Sequence, residues 1–245
     1  MRPDVKAVIL VAGIGSRLRP HTDDRPKCLV ELGGEPLLGR LLRQVGAAGC
    51  SEAVLITGHM DEAIDAWLSR TPLPLPVATV YNAEYATLGN AHSLLMAQGA
   101  VRGPFVKLDG DLVMSDGLLE RLVGASGSAI LLDRTVELAD EEMKAEVRDG
   151  RVVAMGKWLD PSTATGESIG AELIAGEDAE RLFRALRRVV HEEGRGGVYY
   201  EDVYHELVQQ GWELGAVDTA GLPWTEIDTP EDLARATAML SGRGA

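Results

Sequence analysis

Cysteine is scarce. Cys28 and Cys50 are the only two in 245 residues, too few for a disulfide framework and without the His/Cys spacing of a zinc site. A reduced, cytoplasmic setting is the expectation. Long apolar runs are missing too. Val8 to Val11 soon meets glycine and arginine, so no segment is long enough to span a bilayer. Met1 to Lys6 lacks the charged-then-apolar leader of an exported chain. Positive charge is in deficit, with a formal net charge of −14. That balance excludes a general nucleic-acid binder, whose phosphate contacts need a basic face, but leaves room for a local basic pocket. The acid excess itself reads as solvated surface. Lysine is used sparingly, only at Lys6, Lys27, Lys107, Lys144 and Lys157.

What is present is ordinary globular composition, 45% hydrophobic and 25% charged, in a chain long enough for one well-buried domain. Short β-branched runs alternate with amphipathic segments. Val5–Val11, Ala53–Thr57, Val77–Tyr81, Phe105–Leu108 and Ser128–Leu132 read as buried strands. Leu37–Ala48, Asp61–Ser69, Asn90–Gln98 and a segment capped by Ser115 or Asp116 and running to Val123 read as helices. The alternation predicts an α/β fold, a Rossmann-like mixed, mostly parallel central sheet with helices on both faces. The pattern then changes. Lys144–Arg148 and Arg151–Met155 flank Asp149-Gly150, a hairpin signal. Strand-like Ser168–Ile174, Trp212–Val217 and Pro223–Ile227 are interspersed with helices over Asp178–His191, Glu201–Gln210 and Pro230–Met239. Thr229 is the candidate cap of the last helix, with Glu231 and Asp232 in its first turn.

The most informative segment follows the first strand: Ala12-Gly13-Ile14-Gly15-Ser16-Arg17-Leu18-Arg19-Pro20, then His21-Thr22 and Pro26-Lys27-Cys28-Leu29. Glycines after a buried strand let backbone N–H groups approach a phosphate closely, and Arg17 and Lys27 add fixed positive charge. Gly13-Ile14-Gly15 lacks the third glycine of a dinucleotide fingerprint and the Gly-Lys-Ser/Thr of a P-loop is absent, so those two nucleotide folds lose ground.

This segment closely resembles the signature of the sugar-phosphate nucleotidyltransferase superfamily. The resemblance implies a GT-A-like fold over residues 1–245, with nucleotide binding in about 1–135 and an acceptor part containing the hairpin in about 136–245. It implies that Ala12, Gly13, Gly15, Ser16, Arg17 and Lys27 wrap the triphosphate, with Arg17 and Lys27 stabilising charge at the reacting α-phosphate. Thr87-Leu88-Gly89-Asn90-Ala91-His92-Ser93-Leu94 resembles the family's second nucleotide loop and implies roles for Gly89, Asn90 and Ser93; a helix start suits an anion or a carbonyl oxygen. Gly110-Asp111 matches the metal-binding Gly-Asp, and Glu226-Ile227-Asp228-Thr229-Pro230 supplies a remote second acid, so Asp111 and Asp228 are the expected Mg2+ ligands. Asp109 would share a face with Asp111 if the strand continued.

For the acceptor the resemblance points to Lys157, to Lys144 ahead of the hairpin, and to Glu172. Trp158, Tyr199, Tyr200 and Trp224, with Glu201 and Asp202, are candidates for an aromatic and acidic pocket that takes an amine. The compact length and the Leu-Gly-Asn-Ala-His-Ser-Leu segment look closest to cytidylyltransferases for small phospho-alcohols and phosphonates. The expected partners are therefore an NTP, CTP favoured, and a phosphocholine-, inositol-phosphate- or phosphonate-like acceptor. No nucleic acid or membrane partner is expected, and a homo-oligomer stays open. A sugar-1-phosphate acceptor with UTP, GTP, dTTP or ATP is the alternative, and a catalytically silent nucleotide-binding relative is the alternative from another class. No long extension after Met239 suggests a fused β-helix.

Overall fold

The computed structural model describes residues 4–241. The chain opens with β1 (Lys6–Leu10), the glycine loop, and the short strands β2 (Glu31–Leu32) and β3 (Glu35–Pro36). It continues through α1 (Leu37–Ala47), β4 (Ala53–Thr57), α2 (Asp61–Leu68), β5 (Val77–Tyr81), α3 (Asn90–Met96), β6 (Phe105–Asp109), β7 (Leu112–Met114), α4 (Leu118–Val123) and β8 (Ala129–Asp133). The hairpin β9 (Lys144–Arg148) and β10 (Arg151–Met155) follows, then β11 (Gly166–Ile174), α5 (Gly176–Arg187), α6 (Tyr200–Gln209), β12 (Gly215–Asp218), β13 (Trp224–Glu226) and α7 (Pro230–Ser241).

Nine strands form one mixed sheet in the order β5-β4-β1-β6-β11-β8-β12-β10-β9. The pairs β5–β4, β4–β1, β1–β6 and β8–β12 are parallel, as the βα alternation requires, whereas β11 runs antiparallel to both β6 and β8. Both faces are covered, so β1 carries apolar residues on each side: Val8 packs with α3, α5 and α6, while Ala7 and Ile9 pack with α1 and α4. In α1 the spacing of Leu38, Leu41, Leu42 and Val45 puts a fully buried stripe on that second layer, each leucine contributing about 1.5–3 kcal/mol.

A third, smaller cluster sits under α7, where Leu18, Val30, Leu37, Val113, Ile227 and Ala236 meet. It is built around a feature absent from the expected pattern, the two-stranded antiparallel pairing of β7 with β13. The start of α7 is fixed by a reciprocal cap: Asp232 N–H donates to Thr229 Oγ1 at 3.2 Å and Thr229 N–H to Asp232 Oδ2 at 2.7 Å.

Two local expectations are corrected. The cap of α4 is Gly117, in a left-handed conformation at φ 91°. Ser115 instead donates its hydroxyl to Pro223 O, and Asp116 accepts from Gln44 Nε2. The helix expected over Asp178–His191 is α5 followed by a π turn at Arg188–Glu192. Among the described residues no helix is long and apolar enough to cross a membrane.

Candidate active site

β1 and β6 end side by side, and the chain leaves each through glycine. Gly15 is at φ 66°, and a Cβ there would lie 2.9 Å from Lys27 Cβ, so a side chain would push the lysine out of place. The loop is tied down by Thr22 Oγ1, which donates to Gly15 O at 2.9 Å. At the other strand end Gly110 N–H donates to Leu10 O, and a Cβ on Gly110 would meet that oxygen at 2.6 Å. These turns border a cavity of about 390 Å³ lined by Gly13 to Arg17, Lys27, Tyr85, Gly110, Asp111 and Asp228, among others.

Lys27 lines this cavity from the loop side. Its ammonium donates to Asp111 Oδ2 at 2.6 Å and to Asp228 Oδ1 at 2.8 Å, and Arg17 reaches Asp228 Oδ2 at 2.9 Å. Burial alone would lower the Lys27 pKa, but Asp111 and Asp228 outweigh it and the net shift is upward. Two carboxylates separated by more than a hundred positions in sequence thus share one cation. The β7–β13 pairing makes this possible, since it joins the residues just after Asp111 to those just before Asp228. Beside them Glu226 is half-buried, with its carboxyl pushed well above the usual range, first by desolvation and then by Asp111, Asp109 and Asp228.

The other predicted nucleotide residues lie behind this cavity. Ala12 turns its carbonyl to His59 N–H. Gly89 packs against backbone: its N–H donates to Gly196 O at 2.7 Å, and a Cβ would meet Val198 O at 2.6 Å. Asn90 Oδ1 accepts from Tyr200 N–H, and Ser93 Oγ accepts from Asn82 Nδ2. Through Asn82, and through His92 paired with Glu84 at 3.1 Å, α3 fixes the loop that carries Tyr85 to the cavity. Tyr85 was missed because nothing in its local sequence separates it from a surface turn residue.

The predicted acceptor residues are not brought together. Lys144 is a correction: fully buried, it gives its ammonium to the carbonyls of Ala139, Asp140 and Glu142 at 2.9, 3.0 and 3.1 Å, which makes it a clamp on its own loop. Lys157 is partly exposed, 3.4 Å from Glu141 and 5.2 Å from the Tyr199 ring centroid. Trp224 points elsewhere, donating Nε1–H to Asp133 Oδ2 and bordering an acidic hollow with Glu167, Glu226 and Asp228. Glu172 and Glu201 are buried around Lys107. The amine pocket expected from Trp158, Tyr199, Tyr200, Trp224, Glu201 and Asp202 is therefore split: Trp158 meets His205 edge-to-face, and Asp202 caps α6.

Asp109 and Asp111 also diverge, because β6 ends at Asp109 and the chain turns at Gly110. Asp111 faces Lys27, whereas Asp109 accepts from Lys107 at 3.1 Å and from the Tyr200 hydroxyl at 2.7 Å. A legible signal did mark Lys107. A lysine inside the apolar strand Phe105-Val106-Lys107-Leu108 must be paired if it is buried.

Comparison with known proteins identifies the family and the fold. The profile of the MobA-like NTP transferase domain matches residues 7–199. A bifunctional IPC transferase and DIPP synthase of Rubrobacter xylanophilus is 32% identical, over 98% of this chain and 53% of that protein. A CMP-5'-(3-aminopropyl)phosphonate synthase of Streptomyces rubellomurinus is 30% identical, over 97% of this chain and 39% of that protein. The chain thus spans about half or less of these relatives' lengths. Among solved structures, CTP:phosphocholine cytidylyltransferase from Streptococcus pneumoniae superposes with a TM-score of 0.81 at 20% identity, covering 96% of this chain and 99% of that one. The inositol-1-phosphate CTP transferase from T. maritima gives 0.81 at 21%, covering 98% and 97%. At these identities the two structures establish the nucleotidyltransferase fold.

Proposed function

We propose, from the premise that this chain belongs to the MobA-like NTP transferase domain family, that it transfers a nucleoside monophosphate, CMP from CTP, to a small phosphorylated or phosphonate acceptor and releases pyrophosphate. The observation that carries this reading is the meeting of Lys27 with Asp111 and Asp228 at the mouth of the glycine loop. The choice of CTP and of acceptor class draws on the relatives, which include a CMP-phosphonate synthase and cytidylyltransferases.

The acceptor oxyanion is ionised near neutral pH and attacks the α-phosphorus in line, so no general base is required. The difficulty is bringing two anions together, and it is met by fixed positive charge. Lys27 and Arg17 would offset the charge of the triphosphate, and Gly13 to Arg17 border the same cavity. Lys27 already sits between Asp111 and Asp228 as a cation. The pair therefore fits Mg2+, which favours one or two carboxylates completed by phosphate oxygens and water. When bound, the ion neutralises phosphate oxygens as a Lewis acid, with Asp111 and Asp228 as its holders. Lys157, partly exposed, is the remaining candidate for the acceptor's phosphate.

The test is pyrophosphate release from CTP, UTP, GTP, dTTP and ATP, each with phosphocholine, inositol 1-phosphate, alkylphosphonates and sugar 1-phosphates. CTP with a phospho-alcohol or phosphonate should be fastest. Fastest release from a sugar 1-phosphate with another NTP would replace both base and acceptor. Nucleotide binding without release under any condition would make the chain a silent relative.

A further inference from the structure

Behind the active site lies a second group of charges that the transfer chemistry does not use. Lys107 is fully buried at the centre of β6. Its ammonium lies 3.6 Å from the centroid of the Tyr200 ring, 3.1 Å from Asp109 Oδ2, 2.9 Å from Glu172 Oε2 and 3.4 Å from Gly170 O. Tyr204 packs on Tyr200 with ring centroids 5.3 Å apart, and the buried Glu201 adds to the field that favours the charged lysine. An aromatic face with several carboxyl groups around one point is the chemistry of a receptor for an alkylammonium ion. Among the described residues, Glu201 Oε2 and the Tyr204 hydroxyl are buried there without a hydrogen-bond partner. The cluster also adjoins the reaction site. Asp109, its one partly exposed wall, precedes Gly110, which lines the nucleotide cavity.

We infer that Lys107 is a built-in occupant of this cation cage and sets acceptor specificity, so that the enzyme takes acceptors whose far end is uncharged and gains nothing from an ammonium there. The inference rests on the nucleotidyl-transfer reading for its kinetic test, but the cage itself is testable without turnover. Geometry supplies the reason. A substrate ammonium entering past Asp109 would need the position that Lys107 Nζ holds, and it would meet a like charge with no water between. Lys107 is thus a positioning and specificity residue that touches neither nucleotide nor phosphate.

Two experiments decide it. In the wild-type protein, kcat/KM is compared for phosphocholine and for 3,3-dimethylbutyl phosphate, its uncharged isostere. The expected ratio is one or below, and a tenfold preference for phosphocholine overturns the inference. In Lys107→Ala the cage is vacated and the ratio should rise at least tenfold, with the KM for CTP unchanged; an unchanged ratio in the folded variant overturns it. The second experiment needs no catalysis. Propylammonium reproduces the atoms that Lys107→Ala removes, so it should raise the variant's melting temperature saturably against sodium at equal ionic strength, and leave the wild type unmoved. Should the variant not stay folded alone, its refolding from urea should depend on propylammonium. No saturable rise and no assisted refolding, or an equal rise in the wild type, counts against the cage. Absence of pyrophosphate from every acceptor, with the propylammonium effect present, would instead remove the transfer reading and leave the cage standing.

Discussion

Two lysines in this protein make the same contact pattern at different depths. Lys27 lies between Asp111 and Asp228 with 13% of its side chain exposed, and its partners are 26% and 30% exposed. Lys107 lies between Asp109 and Glu172 with no exposure of its own or of Glu172. Depth decides what each can do. At the mouth, water and incoming phosphate compete for the ammonium, so the contacts can be exchanged during a reaction. In the core no solvent is available to replace them, and a cation there is held as firmly as a packed side chain.

The largest expected effect separates the two sites by activity. Lys27→Ala and Asp111→Asn should each lower pyrophosphate release about 1000-fold while circular dichroism stays native, and near-wild-type rates in both would break the comparison. Next comes stability. Lys107→Met should cost about 3–5 kcal/mol in urea denaturation, because it strands buried carboxylates, against a smaller loss for Lys27→Met, whose carboxylate partners reach water. Equal losses would show that depth is not the controlling variable.

Acidity sharpens the contrast further. Desolvation, then Asp109, outweigh Lys107 and push the Glu172 carboxyl up to about 7; the same balance, with Glu172 added, takes Glu201 to about 8. In the unfolded chain both ionise near 4.5. The fold therefore holds extra protons, and their stabilisation is complete below pH 4.5 and lost as pH rises through about 8. Glu201→Gln should leave stability at pH 4 unchanged and raise it at pH 8.5, read as a flatter melting temperature against pH. The smallest effect belongs to Lys144→Met. It should cost about 1–2 kcal/mol and leave acceptor KM within twofold; a large KM change would restore Lys144 to the acceptor site.

Much of this was legible in the residues. Val5–Val11 and Ala53–Thr57 announced buried strands because both their faces are covered, and Asp149-Gly150 announced its hairpin because only certain residues tolerate that turn. The convergence of Lys27, Asp111 and Asp228 was implied by the resemblance of their three segments to the motifs of a known family. Other features depend on partners that no local pattern encodes. Leu112–Met114 is too short for a period to show, and its pairing with Trp224–Glu226 is set by the tertiary cluster under α7. The acceptor side was read least well, because Glu172, Glu201 and Tyr200 carry the residue types of a ligand pocket but point inward to Lys107. Composition cannot tell a guest cation from a resident one.

The short ribbon of β7 and β13 has a consequence for synthesis. One of its strands follows Asp111, and the other precedes Asp228 near the far end of the described chain. A nascent polypeptide can assemble β1, its glycine loop and β4 to β6 early, yet it holds only half of its acid pair until the segment after Pro223 has left the ribosome. Competence for chemistry thus waits on the segment that carries Asp228, and a protein truncated before that segment would keep the nucleotide loop while lacking the partner that completes it.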